Sequence, residues 1–237
     1  RAAKGIPSTA AITPIQFCEK YCQYVDEGYT DVIHVPINRS GSSTYNNAVM
    51  AQGMLREERP EHHLNIHLLD PHTYSMVFGW YLCEMDRKLK NGAEISHVIR
   101  EFEKQMDCME IVLGPYSLKQ MKKSGRISAA AAVMGELMGI RPIITLIDGK
   151  TRVESKVRGD DKVIPAMIDL CKKRTEGVED FDYMIGHTSI PQAVELEKAC
   201  RRAFGKAPLT TFNLGGVVSA NTGPDTLALV YVGKPRD

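Results

Sequence analysis

The sequence has no uninterrupted apolar run of about 18 residues, the length that a membrane-spanning helix needs. The longest candidate, Ala129 to Ile140, is broken by Glu136. Also missing are the P-loop, the nucleophile elbow, the His-Glu-x-x-His zinc motif and the GxGxxG dinucleotide motif. No serine stands with a base in a recognisable catalytic pattern. From these absences we predict that the protein does not insert stably into a membrane and is not an enzyme of these classes.

An excess of charge of either sign is missing as well. In 237 residues, 30 Lys and Arg stand against 29 Asp and Glu, which gives a formal net charge of +1. Basic residues cluster around Lys119 to Arg126, but the sequence has no basic helix of the kind that binds DNA. Nucleic acid is therefore not a predicted partner.

The six cysteines are not arranged as CxxC pairs, which predicts buried thiols in a reducing compartment. Cys18 and Cys22 are one helical turn apart, but no further ligand is evident nearby, so core packing is favoured over a metal site. His63 and His67 are four residues apart, a spacing that brings ligands together on a helix, but the segment that contains them and His62 is predicted to form a strand. Surface and edge histidines are therefore favoured over a metal site. We predict no metal and no cofactor. Because the N-terminal residues also lack the apolar stretch of a signal peptide, we expect a cytoplasmic protein.

Strands and helices alternate with short loops through the first half of the chain. This alternation is typical of βα units around a mostly parallel sheet flanked by helices, an α/β fold. In such sheets ligands bind at the carboxyl ends of the strands, where loops 38–43, 70–73 and 114–117 would converge. The predicted strands are 31–37, 64–69 and 109–113, and the predicted helices include 45–55, 74–91 and 94–105, after a first helix that starts at Thr13-Pro14.

The second half changes character after Pro142. The Asp148-Gly149 turn, which joins Ile143–Ile147 to Thr151–Val157, predicts an antiparallel β-hairpin rather than a βα crossover. We therefore predict an N-terminal domain at 1–140 and a smaller α/β domain with a mixed sheet at 141–237. Its loop at 215–224 contains Asn221, Thr222 and Gly223, and we expect a turn that binds a ligand only if it faces the loop at 38–43.

A hydroxyl-rich loop follows the first predicted strand and precedes a predicted helix. Asn38, Arg39, Ser40 and Gly41 lie in it, with Ser42 to Tyr45 behind them. Hydroxyl groups together with the free N–H groups and positive dipole of a helix start can bind an anion. The same pattern also serves as an N-cap without a ligand, and both interpretations stay open. Arg126, after the predicted helix stop at Gly125, likewise either caps that helix or binds a partner or ligand.

Five blocks of this sequence, in order, resemble motifs of the DegV family of bacterial fatty-acid-binding proteins. The strongest match is to the block that contains G-R-I-S and ends in D-G. The blocks are Thr9 to Phe17 (similar to T-S-Q-P-S/T-P-x-x-F), Asn38 to Tyr45 (S-S-G-L-S-G-T-Y), Asp70 to Gly79 (D-S-x-x-x-S-x-G-x-G), Leu118 to Gly149, and Thr222-Gly223-Pro224 (H-T-G-P-G).

The resemblance implies a protein that buries a long-chain fatty acid in an apolar tunnel between two domains. It also implies that hydroxyl and amide donors hold the carboxylate, and that a separate kinase subunit phosphorylates the acyl group, so that this chain is a carrier and not the catalyst. Thr9 matches the family's carboxylate-binding Thr. Arg126 and Arg158 match arginines with which the family engages its kinase.

The sequence departs from the family pattern at two places that matter for the site. The Ser of the S-S-G block is replaced by Asn38 or Arg39, which can still donate hydrogen bonds to a carboxylate. The His before T-G-P is Asn221, which cannot exchange a proton near neutral pH. A ligand other than a fatty acid, such as another anionic amphiphile, and an acyl or phosphoryl transferase activity are the alternative functions. The family's opening D-S-S/T strand has no counterpart in the sequence, and we expect the natural protein to contain it.

Overall fold

In the computed structural model the chain is described at residues 7–125, 139–188 and 190–234. It divides into two compact units. The smaller unit is Ala10–Tyr74, and the larger unit comprises the described residues of Arg1–Thr9 and Ser75–Asp237. Arg126 lies outside the described residues, as does most of the apolar run from Ala129 to Ile140.

The smaller unit is built from two helices and a two-stranded parallel sheet. Tyr21, Ala48, Ala51 and Leu55 form much of its core, because α1 packs against α2 through their apolar faces. Its elements are α1 (Pro14–Asp26), β1 (Asp31–His34), α2 (Thr44–Glu58) and β2 (Asn65–Leu68).

The start of α1 is specified locally by a capping box, as the Thr13-Pro14 pair predicts. The N–H of Gln16 donates to Thr13 Oγ1 at 3.3 Å, and the N–H of Thr13 donates to Gln16 Oε1 at 3.0 Å. Pro14 occupies the first turn, where its missing N–H costs nothing. Two backbone donors that a helix start leaves unpaired are thereby satisfied.

A Thr13→Ala variant is expected to lower the free energy of unfolding by about 1 kcal/mol, since it removes this cap. Chemical denaturation followed by circular dichroism would measure the loss. Ser8→Ala, which changes an exposed hydroxyl before the helix, is the matched control and should have no measurable effect. Equal stabilities of the two variants would contradict the capping role.

The larger unit is organised around a six-stranded mixed sheet with strand order β5-β4-β3-β8-β6-β7. The β6-β7 pair is parallel, and the other neighbouring pairs are antiparallel. The strands are β3 (Met109–Pro115), β4 (Ile140–Ile147), β5 (Lys150–Arg158), β6 (Tyr183–His187), β7 (Thr211–Asn213) and β8 (Thr226–Val232). The described helices are α3 (Met76–Lys90), α4 (Ile95–Asp107), α5 (Lys119–Ser124), α6 (Val163–Arg174), α7 (Ile190–Phe204) and α8 (Gly215–Thr222), with a 3₁₀ turn at Asp160–Lys162.

Apolar side chains of α6 and the central strands make the core of the larger unit. Val112, Met167, Ile185 and Leu229 have no measurable exposure. β3 and β8 are buried along nearly their whole length, which requires that both faces of the sheet be covered. Among the described helices, none combines the length and the hydropathy needed to cross a membrane.

The predicted α/β class with a mixed sheet is confirmed, and so is the hairpin at Asp148-Gly149, where both residues have positive φ. Placing 109–113 in a parallel sheet was wrong, because β3 lies between β8 and β4 and is antiparallel to both. The compact units also have other bounds than the predicted domains, since β3 and β4 belong to one sheet across position 140.

Candidate functional site

The parallel pairing of β1 and β2 brings the loops that follow these strands to the same end of the small sheet. The register pairs His34 with Leu68, and the N–H of Leu69 then donates to the carbonyl of His34 at 3.0 Å. One step further, the N–H of Asn38 donates to the carbonyl of Thr73 at 3.0 Å. Loops 35–43 and 69–74 are therefore fixed to each other, and we call them together the strand-end site.

Asn38 organises the strand-end site from inside. It is 1% exposed, and its Oδ1 accepts from both the N–H and the hydroxyl of Ser40, each at 3.0 Å. Its Nδ2 donates to the Tyr74 hydroxyl at 3.3 Å. Sequence reasoning predicted Asn38 and Ser40 as ligand donors, and in the structure their polar atoms bond to each other.

Tyr74 keeps a hydroxyl that can donate. Burial raises its pKa, and the hydrogen bond from Asn38 only partly opposes that rise. The phenol therefore stays protonated at neutral pH. Its oxygen accepts from Asn38, and its O–H can donate to an acceptor such as a carboxylate.

Asp70 contacts the two basic side chains of the strand-end site. Its side chain is 9% exposed, and Arg39 Nε and His72 Nδ1 lie 3.4 Å and 3.6 Å from its Oδ2. The backbone N–H groups of Arg39 and His72 donate to its Oδ1 at 3.4 Å and 3.0 Å. Asp70 thus orients Arg39, whose side chain is 62% exposed and whose guanidinium lies 5.9 Å from the Tyr45 ring centroid. Because the contact uses Nε, the terminal N–H groups can still bind a carboxylate in two-pronged fashion.

The second loop of the site is held in an uncommon backbone conformation. His72 and Ser75 have φ of 54° and 63°, values that non-glycine residues adopt rarely and mostly where the surroundings enforce them. Between them Thr73 is buried, and its Oγ1 has no hydrogen-bond partner among the described residues. A buried hydroxyl without a partner can bond to a ligand or to water.

The hydroxyls at the start of α2 bond to each other. Ser42 Oγ and Thr44 Oγ1 are 2.8 Å apart, and the N–H of Thr44 donates to Ser42 Oγ at 3.2 Å. Ser43 is the N-cap residue, and its side chain makes no capping hydrogen bond. Ser42, one residue earlier than expected, is therefore the side chain that binds a first-turn N–H group.

The second predicted polar loop is a helix. Residues 215–222 form α8, so the expectation of a turn was wrong there. Asn213 Oδ1 accepts from the N–H of Gly215, which starts the helix after a short turn. Asn221 Nδ2 donates to the carbonyl of Val217 at 2.8 Å, one turn back in the same helix. The side-chain amide of Asn221 is therefore bonded within its own helix.

Thr222 and Gly223 end that helix in a buried position. Thr222 Oγ1 donates to the carbonyl of Gly223 at 3.4 Å, and the carbonyl of Thr222 accepts from Thr226 Oγ1 at 3.1 Å. Gly223 has φ of 90°, a conformation that favours glycine. These contacts fix the passage from α8 into β8.

Two further predicted residues are exposed. Thr9 belongs to the larger unit, and Arg158 lies at the end of the edge strand β5 of that unit. Arg126 lies outside the described residues. The structure thus brings together Asn38, Arg39, Ser40 and Gly41 in the smaller unit, and Asn221, Thr222 and Gly223 in the larger one.

Loops 38–43 and 70–73 were predicted to converge, because loops that follow adjacent parallel strands meet at one edge, and the contact between Asn38 and Thr73 bears this out. The sequence did not single out Thr73 or Tyr74 as binding residues, and Asp70 was named only as a motif residue.

The sequence matches a known protein family along nearly its whole length. The family model described as "Uncharacterised protein, DegV family" matches residues 1–234. The chain belongs to the DegV family. Among curated DegV proteins, CPE1310 of Clostridium perfringens is 28% identical over 232 residues, which cover 96% of this chain and 78% of that protein. SACOL0812 of Staphylococcus aureus is 29% identical over 241 residues, 98% of this chain and 80% of that protein.

Solved structures with the same fold include proteins that bind fatty acids. A stearic-acid-binding protein from Eubacterium ventriosum superimposes with a TM-score of 0.87 at 21% identity, over 98% of this chain and 80% of that one. The fatty-acid-binding DegV protein SAG1342 of Streptococcus agalactiae gives 0.84 at 25% identity, over 98% and 81%. A DegV protein from Eubacterium eligens, loaded with heptadecanoic acid, gives 0.79 at 20% identity, over 98% and 82%.

Proposed function

We propose that this DegV protein binds a long-chain fatty acid in an apolar tunnel and presents it to a kinase subunit for acyl-phosphate formation. The observation that carries the proposal is the strand-end site, where Arg39 and the hydroxyl of Tyr74 accompany a buried hydroxyl of Thr73 that has no partner in the described part of the chain. Membership of a family whose solved members include fatty-acid-binding proteins supports it. The position of the tunnel between two domains stays a prediction.

The proposed roles of the acyl chain and of the polar donors follow from the free energy that each contributes. An acyl chain of about 16 carbons gains about 0.8 kcal/mol per buried CH₂, or roughly 12 kcal/mol before the costs of ordering and association. A hydrogen bond to a charged group adds only about 1.5–3 kcal/mol. The tail therefore supplies the affinity, and the polar donors fix the orientation of the carboxylate.

Two sets of donors are proposed to hold that carboxylate. In the smaller unit they are Asn38, Arg39, Ser40 and the backbone at Gly41. Ser40 would have to turn its hydroxyl away from Asn38, whereas Arg39 can add a ligand without giving up Asp70. The other proposed donors are Thr9, Asn221, Thr222 and Gly223.

Arg39→Ala is expected to weaken fatty-acid binding about 10- to 100-fold, because a charged donor worth about 1.5–3 kcal/mol is lost. Displacement of a fluorescent fatty acid from delipidated protein would give the dissociation constants. Arg59→Ala is the matched control, since Arg59 lies in the same unit and pairs at 3.6 Å with the exposed Asp26. Unchanged affinity of Arg39→Ala would remove Arg39 from the site.

The proposed carrier role predicts that the isolated protein does not phosphorylate its ligand. Incubation with ATP should yield acyl phosphate only when a fatty acid kinase subunit is added. Arg126 and Arg158 are the proposed kinase contacts. Arg158→Glu should slow that turnover and leave fatty-acid affinity unchanged, whereas Arg152→Glu, exposed on the same strand, serves as the control. Acyl phosphate formed without the kinase would favour a transferase instead.

A second candidate is a binding protein for another anionic amphiphile. The exposed Arg39, one of the two residues that can take the place of the family's Ser, favours a ligand with a larger or more highly charged head group. Native mass spectrometry of protein purified from bacteria would separate the two candidates by ligand mass.

A further inference from the structure

The structure brings together three metal-binding side chains that are separate in the sequence. Cys18 and Cys22 are one turn apart on the inner face of α1, and Glu58 is the last residue of α2. The two Sγ atoms and a carboxylate oxygen all lie within 4.8 Å of one another. Glu58 is the additional ligand that sequence reasoning did not find for the cysteine pair.

The spacing of these atoms suits a tetrahedral metal ion. At a tetrahedral angle, Zn–S bonds of about 2.3 Å and Zn–O bonds of about 2.0–2.2 Å place sulfur and oxygen ligands about 3.5–3.7 Å apart. Cys18 Sγ lies 3.7 Å from Glu58 Oε2. An ion could therefore bind between these atoms after small side-chain rotations.

The surroundings of the cluster also favour a cation. Among the described residues, Glu58 forms no ion pair, and its neighbour Arg59 pairs with Asp26 instead. Cys18 and Cys22 are only 2% and 8% exposed, whereas Glu58 is exposed.

We propose that Cys18, Cys22 and Glu58 form a site for a thiophilic divalent metal ion, with Zn²⁺ as the best match to two sulfur ligands and one oxygen ligand. Binding replaces the two thiol protons, which pass to solvent, and leaves a site with two thiolates, one carboxylate and one divalent cation. The exposed side of Glu58 leaves a fourth position for water. The ion would join the middle of α1 to the end of α2, independently of any fatty acid.

The test is a titration of the whole reduced protein, in a phosphine reductant, with Co²⁺ and then Zn²⁺. We expect one equivalent of Co²⁺ to produce a sulfur-to-cobalt charge-transfer band that Zn²⁺ abolishes, and we expect Zn²⁺ to raise the melting temperature relative to EDTA. Cys18→Ser and Cys22→Ser should lose both effects. Cys83→Ser, which changes an exposed cysteine, should keep them.

Glu58→Gln provides a second test that does not depend on a buried substitution. It should keep the charge-transfer band and bind at least about tenfold more weakly, as expected when a metal loses a carboxylate ligand. The proposal is overturned if no band forms. It is also overturned if the band survives in the Cys18→Ser and Cys22→Ser variants, or disappears in Cys83→Ser.

Discussion

Gly41→Ala is expected to destabilise the smaller unit by about 1–3 kcal/mol, the cost of forcing an extra methyl group into a packed site. A Cβ at this position would lie 1.9 Å from the Tyr74 hydroxyl oxygen, far inside contact distance. Tyr74 would have to move and give up its hydrogen bond from Asn38. Hydrogen exchange of the amides in residues 10–74 would localise the loss, and fatty-acid affinity should fall with it.

Gly53→Ala is the matched control in the same unit and should have the opposite sign. Gly53 lies inside α2, and a Cβ there meets nothing within 4 Å. Alanine should therefore stabilise the helix by about 0.5–1 kcal/mol. If both variants were equally stable, close packing of the 38–41 loop against Tyr74 would not be what requires glycine at position 41.

Tyr231→Phe should lower the free energy of unfolding of the larger unit by about 1.5–3 kcal/mol, because it leaves a buried carboxylate without its hydroxyl donor. The Tyr231 hydroxyl donates to Glu110 Oε2 at 2.9 Å, and both residues are buried. Arg174 Nε is 3.9 Å from the same oxygen, too far for a replacement hydrogen bond. Denaturation followed by the fluorescence of Trp80, the single tryptophan, which lies in α3, would report on this unit.

Tyr183→Phe is the comparison for that prediction. Its hydroxyl donates to a backbone carbonyl, that of Lys206, at 2.7 Å, so no charge is left behind when the hydroxyl is removed. We expect a loss of about 1 kcal/mol. A loss for Tyr231→Phe no larger than this would mean that water satisfies Glu110.

Local features of the fold could be predicted from the sequence where a few adjacent residues determine them. Thr13-Pro14 marked the start of α1, and Asp148-Gly149 marked the β4-β5 hairpin. Strand pairing could not be predicted in this way. β3 pairs with β8, Met109 facing Val232, and a buried apolar strand carries no signal for the direction or identity of such a distant partner.

The candidate site was likewise predictable only where adjacent residues determine it. The hydroxyl-rich loop at 38–44 was visible in the sequence, but the residues that set its geometry, Asp70 and Tyr74, lie more than 30 positions further along the chain. Asn221 was misjudged for a different reason. Gly, Asn and Thr are typical of turns, and here the Asn amide bonds to the preceding helical turn and α8 forms despite them.

Chemical analysis of the lipid extracted from the folded protein after expression in bacteria tests the proposed function most directly. We expect about one long-chain fatty acid per protein molecule, identified by gas chromatography and mass spectrometry, and much less in Thr9→Val. Protein that melts cooperatively and yields no fatty acid would contradict it.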